Sequence, residues 1–361
     1  MFFNFRNFSS QTGFEEAQKK LKTLSEDPGA DIKLKIYALF KQATLGDVSG
    51  QRPGALDFVS RAKFDAWKKL EGTSQESAQQ CYIDLVDSLI GSQEPLNTTV
   101  AGLKPVSGLN ISIEGKIFKI RLNRPSKFNA ITLEMYNGIT EALNYSSTDK
   151  TTSVTVLTGT GNYFCSGNDL SNFLEVKRVE DIPIMAAEAA RVLDAYTTAY
   201  ILHKKPLIGL INGPAIGISV TLLPLFNLVL ASDKATFHTP FTALGQSPEG
   251  CSSYTYPFIM GMLKASEVLL FGRKLTAIEA MERNLINEVI PDRTFFDESQ
   301  KRVEIYSKLP PESLRMNKQL LCDAHSEALM ECKAREIKLL EQRWQSEECI
   351  AALKQFINRK K

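Results

Sequence analysis

The feature that most constrains this chain is a break in periodicity about a quarter of the way along it. Residues 13 to 90 place their apolar side chains at helical spacing only, whereas from Leu109 onward strand-like and helix-like segments alternate. Between them, residues 91 to 107 (GSQEPLNTTVAGLKPVS) carry two prolines, two glycines and no period, the pattern of a linker. At roughly 150 residues per domain, 361 residues suit two domains. The expected divisions are a helical domain over 7–92, a linker over 93–107 and a second domain over 108–361.

In the first domain Phe14, Ala17, Leu21 and Leu24 mark one helix, broken by Asp27-Pro28-Gly29. Asp31 is expected to cap a second, with Ile32, Ile36, Leu39 and Phe40 on one face. A long turn follows from Gly46 to Gly54, then a third helix over 56–70. A fourth, opened by Ser74 or Ser77, holds Tyr82, Leu85, Val86 and Leu89. In the second domain Ile111, Ile113, Ile117, Ile120 and Leu122 form two strands around the Glu114-Gly115 turn. A helix from Thr132, a strand from Val154 to Leu157 and a buried strand from Pro206 to Ile211 come next. From Ser252 the chain is mostly helical, with two or three helices after Pro311. The fold class is α+β and multidomain: a four-helix bundle, then a strand–helix domain with a helical C-terminal region.

Lys+Arg 43 against Asp+Glu 41 leaves no bulk field suited to a nucleic-acid backbone or an anionic membrane. No run of about 18 apolar residues offers a membrane span. Six cysteines (Cys81, Cys165, Cys251, Cys322, Cys332, Cys349) and three histidines (His203, His238, His325) are scattered, so no zinc-type cluster can be written. Free thiols of a reducing compartment are expected.

Two glycine-containing loops follow buried strands: Thr158 to Asp169 (TGTGNYFCSGND) and Asn212 to Ser219 (NGPAIGIS). Where a strand hands over to a helix, free backbone N–H groups can point at a ligand oxygen, and two such donors make an oxyanion hole. Ordinary strand-to-helix turns with local glycines explain the same residues. Gln246-Ser247-Pro248-Glu249-Gly250 reads either as a helix start or as a carboxylate set among apolar neighbours to act as a base. Leu244, Phe241, Tyr254 and Phe258 are the expected apolar walls around Glu249. In the bundle, Tyr37 and Lys41 lie one turn apart, with Lys63 and Tyr82 on later helices. Such residues stack an adenine and neutralise phosphates, or simply cover an amphipathic surface.

Lys35 to Asp47 (KIYALFKQATLGD), Arg52-Pro53-Gly54 and Ala62 to Trp67 (AKFDAW) resemble the acyl-CoA-binding protein family over about residues 13 to 90. The resemblance implies a four-helix acyl-CoA carrier with contacts at Tyr37, Ala38, Leu39, Phe40, Lys41, Lys63 and Tyr82. Phe40 and Phe64 depart from the family's Tyr and Trp, which removes a hydroxyl contact and some stacking area. Residues from 109 onward resemble the crotonase (enoyl-CoA hydratase/isomerase) superfamily through Asn123-Arg124-Pro125, Phe164 to Leu170 (FCSGNDL) and Asn212 to Gly217 (NGPAIG). That implies a spiral of ββα units, a homotrimer, and an oxyanion hole from the N–H groups of Asn168 and Ile218. Cys165, Ser166, Gly167, Asp169 and Gly217 complete the implied substrate-binding set. Hydratases carry two glutamates where this chain has Thr221 and Phe241. The Glu249 loop instead resembles the Δ3,Δ2-enoyl-CoA isomerases, with Glu249 as the catalytic base.

The pairing of both domains resembles the peroxisomal isomerases of that family. It implies 3-enoyl-CoA to trans-2-enoyl-CoA isomerisation in β-oxidation of unsaturated fatty acids, with no cofactor or metal, coenzyme A being part of the substrate. Fatty acyl-CoA ligands are the implied partners. The alternatives are another crotonase reaction such as hydration, or a non-catalytic acyl-CoA carrier. Location in the peroxisomal matrix rests on the resemblance, although the chain ends Asn358-Arg359-Lys360-Lys361 without Ser-Lys-Leu. A mitochondrial location rests on the acid-free start, MFFNFRNFSSQTGF, which reads either as the remnant of an organelle presequence or, the preferred reading, as an ordinary frayed terminus.

Overall fold

A computed structural model describes residues 6–22, 28–54, 57–91, 100–169, 172 and 178–358. Leu24, Asp27, Leu56, linker residues 92–99, Leu170 and terminal residues 359–361 lie outside the described residues. The chain separates into two compact units, Met1–Pro95 and Leu96–Lys361.

The first unit contains α1 (Arg6–Leu21), α2 (Ala30–Leu45), α3 (Phe58–Lys68) and α4 (Gln75–Gly91). Phe14, Leu39, Ala43, Tyr82 and Val86 pack its core. Asp31 does not cap α2: the helix begins one residue earlier, with Gly29 at the cap, φ 86°, and no side-chain bond there. The steric break at Pro28-Gly29 decides that start. Asp57 caps α3 by accepting from the Ser60 N–H, and the Ser74 hydroxyl accepts from Ser77 N–H at the start of α4. A buried polar knot joins the helices. Gln42 donates to Asp47 Oδ1 (2.8 Å) and Thr73 O (2.6 Å), and its own carbonyl accepts from Trp67 Nε1 at 3.1 Å.

The second unit opens with the antiparallel pair β1 (Leu109–Glu114) and β2 (Ile117–Leu122), turned at Gly115. The helix α5 (Leu133–Thr148) starts at Thr132, whose hydroxyl accepts from Met135 N–H. The strands β3 (Val154–Gly159), β4 (Leu207–Ile211), β6 (Leu228–Ser232) and β9 (Glu288–Ile290) add in parallel, giving a six-stranded sheet in the order β1-β2-β3-β4-β6-β9. Their near-continuous apolar runs are those of strands covered on both faces. Short β5 (Ala215–Ile216), β7 (Thr236–His238) and β8 (Leu275–Thr276) make a second, three-stranded sheet.

Helix α6 (Ile182–Ile201) lies between β3 and β4, and the four-residue α7 (Ile218–Thr221) follows β5. The later helices are α8 (Ser252–Met260), α9 (Met262–Leu269), α10 (Ala277–Glu282), α11 (Phe295–Ser307), α12 (Pro311–Trp344) and α13 (Glu347–Asn358). The stretch after Pro311 is thus two helices, and the 34-residue α12 packs along α6 and α8. No helix among the described residues is long and apolar enough to cross a membrane.

Candidate active site

The two glycine loops of the second unit meet backbone to backbone. Ile216 N–H donates to Cys165 O at 2.9 Å, and Ser219 Oγ donates to Cys165 O at 3.1 Å. Gly167 sits at φ 84°, and a Cβ there would stand 2.7 Å from Ile216 O, so only glycine permits the approach. Asn129 pins the first loop from beneath, donating to Thr160 O and Tyr163 O and accepting from Arg124 N–H. Neither the Asn168 N–H nor the Ile218 N–H has a partner among the described residues. Ile218 is the first residue of α7, where helix geometry leaves the amide free.

Glu249 reaches the same place from a third segment. Gly250, φ 66°, packs so closely on α7 that a Cβ would meet Thr221 Oγ1 at 2.7 Å and Ile218 Cδ1 at 3.3 Å. Asn168, Asn172, Gln246 and Glu249 supply the polar side chains of one cavity. Leu133 and Tyr136 of α5, Met185 and Leu193 of α6, and Trp344 ending α12 give it apolar walls. It encloses about 60 Å³, room for only a handful of waters. Desolvation, then the charge of Glu336, pushes the Glu249 carboxyl from 4.5 up to about 8.

The other residues expected here fall into different settings. Asp169 is paired with Arg124 (2.8 Å), which also donates to Ala130 O, so its carboxylate braces the loop. Cys165 is fully buried, burial raising its thiol to about 11, and its Sγ accepts from Gly167 N–H. Ser166 is half-buried and its N–H donates to Phe128 O. Gly217, φ 64°, caps α7 and donates to His238 O at 2.8 Å. Thr221 is fully buried and Phe241 nearly so; neither lines the cavity.

The expected walls need correction. Leu244, Phe241, Tyr254 and Phe258 do not line the Glu249 cavity. Tyr254 and Phe258 stack at 6.2 Å on a separate cavity of about 200 Å³ beside His325 and Lys318. Position along one helix shows which face is apolar but not which cavity that face meets. The actual walls come from three helices remote in sequence, and the reading missed Tyr136, Asn172 and Trp344. Asn172, four residues after Asn168, was the one local signal: its Nδ2 donates to Asn168 Oδ1 at 2.7 Å.

In the first unit Tyr37, Lys41 and Lys63 come together. The Lys63 ammonium lies 5.2 Å and the Lys41 ammonium 5.9 Å from the Tyr37 ring centroid. Lys41 also stands 5.7 Å from the Trp67 ring, a neighbour the reading did not include. Tyr82, Ala38 and Leu39 are buried in the core, Tyr82 edge-on to Phe14 at 4.8 Å, and Phe40 is partly buried beside them. Their surroundings are those of packing residues.

Comparison with known proteins decides the class. The enoyl-CoA hydratase/isomerase family model matches residues 112–361. The chain belongs to the enoyl-CoA hydratase/isomerase family. Residues 11–86 match the acyl-CoA-binding protein model. This family member is 48% identical over 356 residues to rat "Enoyl-CoA delta isomerase 2", covering 98% of this chain and 90% of that protein. It is 42% identical over 314 residues to mouse "Enoyl-CoA delta isomerase 3, peroxisomal", covering 86% of this chain and 98% of that one. An enoyl-CoA hydratase/isomerase structure from Pseudoalteromonas atlantica superposes with a TM-score of 0.64 at 29% identity, over 70% of this chain and 98% of the other.

Proposed function

We propose that this family member is an enoyl-CoA isomerase that moves the double bond of a 3-enoyl-CoA to the trans-2 position. Relatives named enoyl-CoA delta isomerase, alike over nearly the whole chain, support the isomerase class. The observation that carries the reaction is one carboxylate of raised pKa in a small apolar cavity, flanked by the loops that offer two free N–H groups.

Glu249 takes the C2 proton of the substrate as its C–H bond breaks, leaving a dienolate whose charge falls on the thioester oxygen. The N–H groups of Asn168 and Ile218 stabilise that oxygen, each worth about 3 kcal/mol in the transition state. Glu249, now protonated, returns the proton at C4, the electron pair shifts to C2=C3, and the base is regenerated. A pKa near 8 suits both halves, since a stronger base accepts more readily and a neutral acid still donates near neutral pH. Hydration needs a second carboxylate to handle water, and Thr221 and Phe241 cannot serve. The chemistry calls on no cofactor.

Acyl-CoA binding by the first unit follows the same logic. Tyr37 offers a ring to the adenine, and Lys41 and Lys63 offer charge to the phosphates. Assembly as a homotrimer is supported by large apolar side chains left open on and after α9, among them Leu263 (88% exposed) and Phe271 (82%). The mouse relative named peroxisomal supports placement in that organelle. Loss of 3-enoyl-CoA turnover in Glu249→Gln, with acyl-CoA binding retained, tests the reaction and base together.

A further inference from the structure

Helix α12 carries a buried stripe at every fourth residue: Cys332, Glu336, Leu340 and Trp344. Three of these are apolar or weakly polar; Glu336 is a carboxylate only 6% exposed. Its side chain crosses to the base of the catalytic loop. One oxygen accepts from Cys251 N–H at 2.7 Å and the other from Ser253 N–H at 2.8 Å. Those amides begin α8, two and four residues beyond Glu249, where a free helix N-terminus favours a negative charge. Cys251 is held there at φ 63°, a left-handed conformation unusual for a residue with a side chain. Gly250 before it is left-handed too, at no cost for a glycine, so the turn that presents Glu249 pairs one permissive and one strained residue, fastened from behind by one carboxylate.

We propose that Glu336 is a positioning residue for the base: its carboxylate fastens the Gly250–Cys251 turn and sets a second negative charge behind Glu249. The proposal rests on Glu249 being the proton-transferring group. Desolvation is the larger cause of the raised Glu249 pKa and the Glu336 charge the second. Among the other titratable groups around the pair, the Cys332 thiol, one turn before Glu336, is pulled down by its hydrogen bond to Cys251 against burial and the Glu336 charge, but only burial and Glu336 act on Glu249. Tyr136 of α5 is buried with its phenol pushed well up, so it stays neutral. The Cys251 thiol, hydrogen-bonded to Cys332 and buried, is pushed up as well. The Lys333 ammonium is engaged with Asp194 of α6 at 2.8 Å and with Thr198 at 2.6 Å.

The test is the pH profile of kcat/KM for the full chain with 3-trans-hexenoyl-CoA, in wild type, Glu336→Gln, Glu336→Asp and Glu249→Gln, with folding checked by circular dichroism. Glutamine keeps one acceptor and removes the charge. The acid limb of Glu336→Gln is expected to move about one pH unit lower, and the plateau to fall about tenfold. Aspartate keeps the charge but shortens the reach, so its plateau falls while its limb stays within about 0.3 units of wild type. A Glu336→Gln profile that only loses height, or that matches wild type, overturns the proposal. If Glu336→Gln does not fold, Glu336→Asp decides: a limb displaced by about one unit, or a wild-type plateau, overturns it. Full turnover by Glu249→Gln would instead refute the base assignment itself.

Discussion

Glu249→Gln is expected to make the second unit more stable, by an amount that grows with pH. In the folded protein this carboxyl titrates at about 8 rather than 4.5, so the native state holds its proton more tightly than the unfolded chain does. A group raised in this way contributes its full stability below the unfolded value and loses it as pH rises through the folded one. The interval between 4.5 and about 8 is about 3.5 units, at 1.36 kcal/mol each about 5 kcal/mol, and the opening of the cavity to solvent brings this to about 3–5 kcal/mol. Glutamine is neutral throughout and nearly isosteric. The variant should match wild type near about pH 5 and exceed it by several kcal/mol near about pH 9. At about 2–4 °C per kcal/mol for a unit of this size, the melting temperatures should part by roughly 6–20 °C. Thermal melts followed by circular dichroism at both pH values read this directly. Equal melting temperatures at high pH, or a variant destabilised at every pH, would show that the carboxylate is not desolvated and refute the physical basis of the base assignment.

Other consequences test the rest of the site and the first unit. Gly167→Ala places a Cβ against Ile216 O, and kcat is expected to fall about 100-fold as the two loops are forced apart; turnover assays at saturating substrate check this. Lys63→Ala and Lys41→Ala each remove a cation facing Tyr37 and should weaken acyl-CoA binding by the first unit several-fold, more at low salt than at high, by calorimetry. Trp67→Phe gives up the bonds to Gln42 and Gly46 O and should cost the first unit about 1–2 kcal/mol in denaturant melts. Light scattering on the full chain should return three times the 40.2 kDa chain mass if the exposed apolar surface around Leu263 and Phe271 is an interface between copies.

The strand and helix order was legible because local patterns fixed it: β1 and β2 turn at Gly115, and Thr132 caps α5. Asp31 misled because the Pro28-Gly29 break settles the start of α2 before any side-chain cap can form. The two glycine loops were legible as backbone donors, since a strand-to-helix handover leaves amides free whatever the side chains are. The cavity walls were not legible. Tyr136, Met185 and Trp344 sit on three helices brought together only by tertiary packing. Glu336 did carry a trace in the sequence. Spaced every fourth residue with Cys332, Leu340 and Trp344, it is a charge on an otherwise buried stripe. A single acid in a helix rich in charges reads as surface until the partner of that stripe is known.

The most direct measurement is turnover of 3-trans-hexenoyl-CoA by the purified chain, followed by the appearance of the conjugated 2-enoyl thioester, beside Glu249→Gln. The account predicts steady isomerisation by wild type and none by the variant, with acyl-CoA binding unchanged. Tight acyl-CoA binding without isomerisation by wild type, or equal rates in both proteins, would contradict it.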